Sequence, residues 1–199
     1  MRGKLIVSTA VAALALLAAG TALPQAAQAD TPSTPVPATG SFSFTTGPGI
    51  LSTWDYNNIK VSTSAPASYS TKNTGTQGTA NFPVVARQQT AVFTGGQIRI
   101  TNSKTGEYIN CLNPAVDVLV KVVDCVMADK TNKRLFTIAK IGAVKTLNSV
   151  YTTTTSYTGL DLKITDQATA DWMNAKLRTN TFSPSVVFAT GELVSTYSK

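Results

Sequence analysis

With 199 residues, 43% of them hydrophobic and only 14% charged, the chain is long enough to bury the core of one domain. Its formal charge of +7 comes from 17 scattered basic residues against ten acids, and such scatter lacks the basic stripe that nucleic-acid binding needs. The absence of histidine excludes Ser-His-Asp and Cys-His catalysis and histidine-ligated zinc.

In chain order, residues 1–29 read as a signal peptide. Arg2 and Lys4 precede an apolar run, Pro24 breaks it, and Ala27-Gln28-Ala29 supplies the small-x-small cleavage pattern. Removing those 29 residues would leave 170, with two basic residues and no acid lost, so the charge falls to +5. No later stretch is long and apolar enough to span a bilayer. Residues 30–40, with Pro32, Pro35 and Pro37, read as an extended linker, and residues 41–199 as a single domain. Its first strand alternates Ser41, Phe42, Ser43, Phe44 and Thr45, either as an edge strand of its own sheet or as a strand offered to another protein's sheet.

Short alternating runs follow, separated by Gly, Pro, Asn and Thr. The stretch STKNTGTQGTAN, starting at Ser70, reads as a loop, and Gly95-Gly96 as a tight turn after a strand. In GGQIRIT, Ile98 and Ile100 face one way and Gln97 and Arg99 the other. AVDVLVKVVDCVM reads as one long strand, Val116 to Val126 sharing a face and Asp124 interrupting it. The threonine-rich YTTTTSYTG suits an exposed strand or a loop lip. Many short strands with little helix predict a mainly β fold, an antiparallel β-sandwich of immunoglobulin-like or related type. One short C-terminal helix is expected after Ile164. Thr165 would cap it, Ala168, Trp172 and Ala175 would share a face, and it would plug an open end of the sandwich.

Cys111 and Cys125 are the only cysteines, and an even pair in an exported chain predicts a disulfide. The acids form no recognisable catalytic pair, and neither a calcium loop nor a phosphate cradle is present in the pattern. No metal, no cofactor and no enzymatic activity are expected.

From Phe82 onward, the runs FPV, VFTGGQIRITN, LFTI, LDLKITDQATADWMNAKLRTNTF and FATGELV resemble a family of small secreted actinobacterial proteins, mostly uncharacterised. More weakly, they resemble the β-sandwich haem-uptake domains of corynebacteria. The resemblance implies export and a β fold. Its haem-binding branch relies on a tyrosine ligand supported by histidine, for which Tyr108 and Tyr157 are the candidates here, without the histidine.

The expected function is a secreted, non-enzymatic protein–protein interaction module. It would engage a secreted or cell-envelope protein through the segment Ser41, Phe42, Ser43, Phe44 and Thr45, as an adaptor in an extracellular assembly such as a secreted antibacterial toxin particle. The alternative is a carrier for a small apolar ligand, haem or lipid, held in a cavity lined by Trp54, Tyr56, Trp172 and Phe182. A third reading gives NCLNPAVD, beside the bridge, the role of an inhibitory loop.

Overall fold

The computed structural model describes residues 34–199; the expected signal peptide, residues 1–29, and the first residues of the expected linker lie outside them. The described chain forms β1 (Val36–Thr46), α1 (Ile50–Tyr56), β2 (Ile59–Ser64), β3 (Ser68–Lys72), β4 (Gln77–Gln88), β5 (Ala91–Thr94) and β6 (Gln97–Asn102). There follow β7 (Tyr108–Asp117), β8 (Val122–Val126), β9 (Asn132–Lys140), β10 (Ala143–Asn148), β11 (Thr152–Ile164), α2 (Gln167–Leu177) and β12 (Ala189–Ser198). The first strand starts at Val36, so the last residues of the linker stretch are already hydrogen-bonded sheet.

The expected β-sandwich is wrong: the strands close into an antiparallel barrel. Around the ring run β7, β5, β4, β1, β12, β11, β9 and β8, and the pairing of β8 with β7 closes it. Alternation and turn spacing are the same in both architectures; closure is decided by strand length and bending. Two long strands bend at glycines. Gly40 lies at the register shift of β1 against β4, at φ +132°, and Gly159 at the shift of β11 against β12, at φ +64°. A Cβ on Gly40 would collide with the Val194 carbonyl oxygen, so that close approach requires glycine.

The ring forks on one side. β5 and β6 run successively along β7, but at Gly95-Gly96 the strand exchanges β4 for β2. The first half of β4 pairs with β3 instead. The turn between β2 and β3 fills the fork, with Pro66 against Gly95 and Ala67 against Gly96. Gly95-Gly96 is therefore a change of sheet partner, not a hairpin turn.

Three further readings change. The Val116–Val126 run is not one strand, because β7 ends at Asp117 and β8 begins at Val122. The Asp117 carboxylate accepts hydrogen bonds from the backbone N–H groups of Leu119 (2.9 Å) and Val120 (3.1 Å), and Lys121 adopts φ +61°, so a polar side chain turns an apolar run. The polar stretch after Ser70 is the hairpin joining β3 to β4. In YTTTTSYTG, Thr153 and Thr155 point inward and are buried.

Among the described residues there are two α-helices, not one. The short α1 buries Leu51 and Trp54, at a spacing too brief to stand out in a strand-rich sequence. α2 is where it was expected, but Asp166, not Thr165, is its N-cap: Thr169 N–H donates to Asp166 Oδ1 at 2.7 Å. Its buried face is Thr169, Ala170, Met173 and Leu177, while Trp172 lies to one side, half-buried. Asn102 Nδ2 donates to the Leu177 carbonyl at 2.7 Å and ties the end of α2 to β6.

The barrel is filled by apolar side chains. Phe42, Phe82, Ile138, Leu160, Leu162, Met173 and Leu193 are almost completely buried, each stabilising by about 1.5–3 kcal/mol through burial. Phe44, Phe136, Phe182, Phe188 and Trp54 join them in one aromatic cluster, with ring centroids 5.1–6.4 Å apart.

Candidate functional site

The disulfide forms as expected. Cys111 of β7 and Cys125 of β8 are bonded, with their Cα atoms 4.9 Å apart and both side chains buried. The bridge crosses the ladder that closes the barrel. No free cysteine remains among the described residues, so none supplies a thiolate.

The segment singled out for partner binding lies in the middle of the sheet. Ser41 to Thr45 pair with β12 on one side and with β4 on the other, so neither edge is open for strand addition. Phe42 and Phe44 are core residues stacked with Phe82, and Thr45 Oγ1 shares a hydrogen bond with Thr79 Oγ1 at 2.9 Å.

The four aromatics proposed to line a ligand cavity do not converge. Trp54 and Phe182 pack on one another at 5.7 Å inside the core, and Tyr56 is 87% exposed. Trp172 lies under Lys133, whose Nζ is 4.2 Å from the indole centroid. The space left among Phe44, Trp54, Tyr69, Phe136, Met173 and Phe182 is about 20 Å³, room for a single water. Tyr69, at its border, has its phenol pKa pushed up by burial and, to a lesser degree, by the Asp55 carboxylate.

Tyr108 and Tyr157 are on different parts of the surface. Tyr108, at the start of β7, carries the Arg99 guanidinium 4.5 Å above its ring and borders a shallow groove of about 570 Å³ beside Trp172, Lys133 and Lys176. Tyr157 is half-buried in β11, paired with Leu193 of β12.

The most apolar of the larger depressions lies on the outer wall over β5, β7 and β8, a groove of about 780 Å³. Its apolar floor and walls are Val85, Phe93, Ala115, Val120, Val122 and Val126. Asn113, Asp117, Asp124, Asn132 and Arg134 form the polar margin. The margin is held by internal bonds. Arg134 Nε donates to Asp124 Oδ1 at 3.1 Å, and Asp117 is committed to its turn and to Thr90 Oγ1 at 3.3 Å. Leu119, 74% exposed, continues the apolar surface beyond the groove.

NCLNPAVD is strand β7 and one wall of this groove, not a projecting loop. Its Asn113-Pro114 bulge locks onto the fork: Asn113 N–H donates to the Gly96 carbonyl at 2.7 Å, and Thr94 Oγ1 to the Pro114 carbonyl at 2.7 Å. The sequence contained this signal in Asn-Pro beside a strand, but the groove needs β5, β8 and β9 brought alongside.

Two carboxyls are held below their ordinary pKa. Asp129 is lowered by hydrogen bonds from the Thr131 hydroxyl and backbone, and Asp166 by the Thr169 backbone and hydroxyl. Both are in turns or caps, where they fix backbone. Among the described residues no group of three or more potential ligands gathers to hold a metal.

No known protein family matches the chain, and no curated protein matches it. Among solved structures it is similar to the haem-binding protein HtaB of Corynebacterium glutamicum, at 14% identity over 82% of this chain and 94% of that one, with a TM-score of 0.43.

Proposed function

We propose that this protein is an exported binding protein, not an enzyme, which docks a segment of another extracellular protein in the outer groove of β5, β7 and β8. The observation that carries this reading is the contrast of volumes: about 20 Å³ inside the barrel and about 780 Å³ outside it. Small-molecule pockets enclose most of their ligand's surface, and an open outer groove does not. A protein segment also accounts for the apolar surface running on to Leu119, beyond what a small ligand would cover. The groove's margin is polar, with Asp124 paired to Arg134 and Asp117 held by its own turn, so the occupant's apolar side chains would supply most of the affinity. The bonded Cys111–Cys125 pair supports an oxidising compartment, and no helix among the described residues is long and apolar enough to cross a membrane.

The test compares the wild-type protein with Val85→Asp/Val120→Asp as bait in culture supernatant, followed by mass spectrometry. Both side chains are at least half exposed, so the double variant keeps its fold. The reading requires a stoichiometric partner that the wild type retains and the variant loses. Equal capture by both, or a Soret band on adding haemin to the wild type, would move the function away from this groove.

A further inference from the structure

β10 is the one strand of the described chain whose six residues are all exposed, and it pairs with β11 alone. Its ladder is regular from Ala143↔Thr158 to Asn148↔Thr153. Two bonds set the phase of that ladder. Ser149 N–H donates to the Thr152 carbonyl at 2.9 Å, and on the other side of β11 Lys199 N–H donates to the Tyr151 carbonyl at 3.0 Å. With partners alternating along a strand, Ala143, Lys145 and Leu147 direct their peptide groups to β11. Val144, Thr146 and Asn148 therefore direct theirs outward, three N–H and three C=O groups at an open edge.

This edge lacks the usual protection. It contains no proline and no bulge, and Lys145 is its only charge. Apolar residues sit along it and beyond it. Val144 and Leu147 are more than half exposed, and Val150 and Tyr151 at the hairpin tip are about four-fifths exposed.

We propose that β10 is a self-association edge, on which a second copy of this chain adds its own β10 antiparallel, about a twofold axis through Thr146. A twofold relating antiparallel strands stands perpendicular to the sheet, so residues of equal parity face each other. Centring on Thr146 pairs Thr146 with Thr146 and Val144 with Asn148 of the second copy, and every outward peptide group finds a partner. The same register sets Lys145 opposite Leu147 of the second copy, so the two lysines are not directly opposed. It also brings Val150 and Tyr151 of each tip beside Gly142 and the half-buried Ile141 of the other copy. The same edge is therefore complementary to itself in hydrogen bonding, and the register keeps its two lysines from facing each other directly.

The protein as released by a secreting host would be measured by sedimentation equilibrium, with the Thr146→Pro variant beside it. Proline is tolerated where the N–H faces solvent, so T146P keeps β10 on β11 but removes the central donor at the axis. The expected result is a concentration-dependent dimer whose Kd rises at least tenfold in T146P. A second arm uses Thr146→Cys and Asn148→Cys under mild oxidation. Cα atoms of a hydrogen-bonded antiparallel pair are about 5.5 Å apart, within disulfide reach, so T146C cross-links between copies and N148C does not. A protein monomeric at every concentration, an unchanged Kd in T146P, or equal cross-linking at both positions would overturn the proposal.

Discussion

Replacing both Cys111 and Cys125 with alanine tests the claim that the bridge guards the closing seam of the barrel. The cysteines are 14 residues apart in sequence and lie on adjacent strands, β7 and β8. A loop of about 15 residues, once closed, removes roughly 3 kcal/mol of conformational freedom from the unfolded chain. For a domain of this size each kcal/mol corresponds to about 2–4 °C, so Tm should fall by about 6–12 °C. Urea unfolding distinguishes the cause. If the bridge acts on the unfolded state, the variant's unfolded chain expands and its m-value rises along with the loss of stability. Hydrogen exchange should show the amides of Val122 to Val126 losing protection ahead of those of β1 and β12, whose strands are paired on both sides without a clamp. A loss below about 1 kcal/mol, or a full loss at unchanged m-value, would refute the chain-constraint reasoning and assign the effect to native packing of the two buried sulfurs.

Gly40→Ala and Gly49→Ala separate crowding from backbone conformation. Both glycines have positive φ, but a Cβ at Gly40 meets the Val194 carbonyl whereas at Gly49 nothing lies within 4 Å. Chemical denaturation should give a cost of about 2–4 kcal/mol for G40A and about 1 kcal/mol for G49A, and similar costs would remove the argument that Gly40 permits the bend of β1. Asp166→Asn tests the helix cap through pH. The Asp166 pKa is depressed in the folded protein, so its contribution is present above the ordinary carboxylate range and is lost as pH falls through the folded value. Asparagine still accepts from Thr169 but does not titrate, so unfolding midpoints of wild type and D166N should converge as pH drops from about 5 to about 2. Parallel acid limbs would show that the cap does not depend on charge.

The mainly β character, the position of α2 and the disulfide were legible because each is local. Alternating Ile98 and Ile100, the Asp166-to-Leu177 helical spacing and a lone cysteine pair carry their meaning within a few residues. The barrel was not, because a sandwich and a barrel share alternation and turn spacing. What distinguishes them here is the pairing of β8 with β7 and the bends at Gly40 and Gly159, which are long-range facts. The Val116–Val126 error has a similar origin. Valine favours strand at every position, and only the Asp117 carboxylate, reaching forward to two backbone N–H groups, decides that the chain reverses. Ser41 to Thr45 misled as a site for the opposite reason. An amphipathic strand that follows a proline-rich stretch looks like an edge, and its burial between β4 and β12 depends on residues more than thirty and one hundred positions away.

Small antiparallel barrels have two ways to use their interior, filling it with side chains or leaving it open for one ligand. This chain has taken the first course, and the aromatic residues that would have lined a pocket have become the means of closing it. Phe188 touches Phe44, Trp54 and Phe136, and Trp54 in turn touches Phe182, leaving room for one water. A ligand the size of a porphyrin would have to displace several of these rings, exposing apolar surface at about 25 cal/mol per Å². The proposed docking therefore falls on the outer wall, where the departures from a plain barrel have accumulated: the fork at Gly95-Gly96, the Asn113-Pro114 bulge and the overhanging β10. The first two shape the groove over β5, β7 and β8, and the third leaves an open edge beside β11. Val120 and Thr146 therefore report on the two proposals separately: a substitution at Val120 is read through partner capture, and one at Thr146 through the oligomeric state.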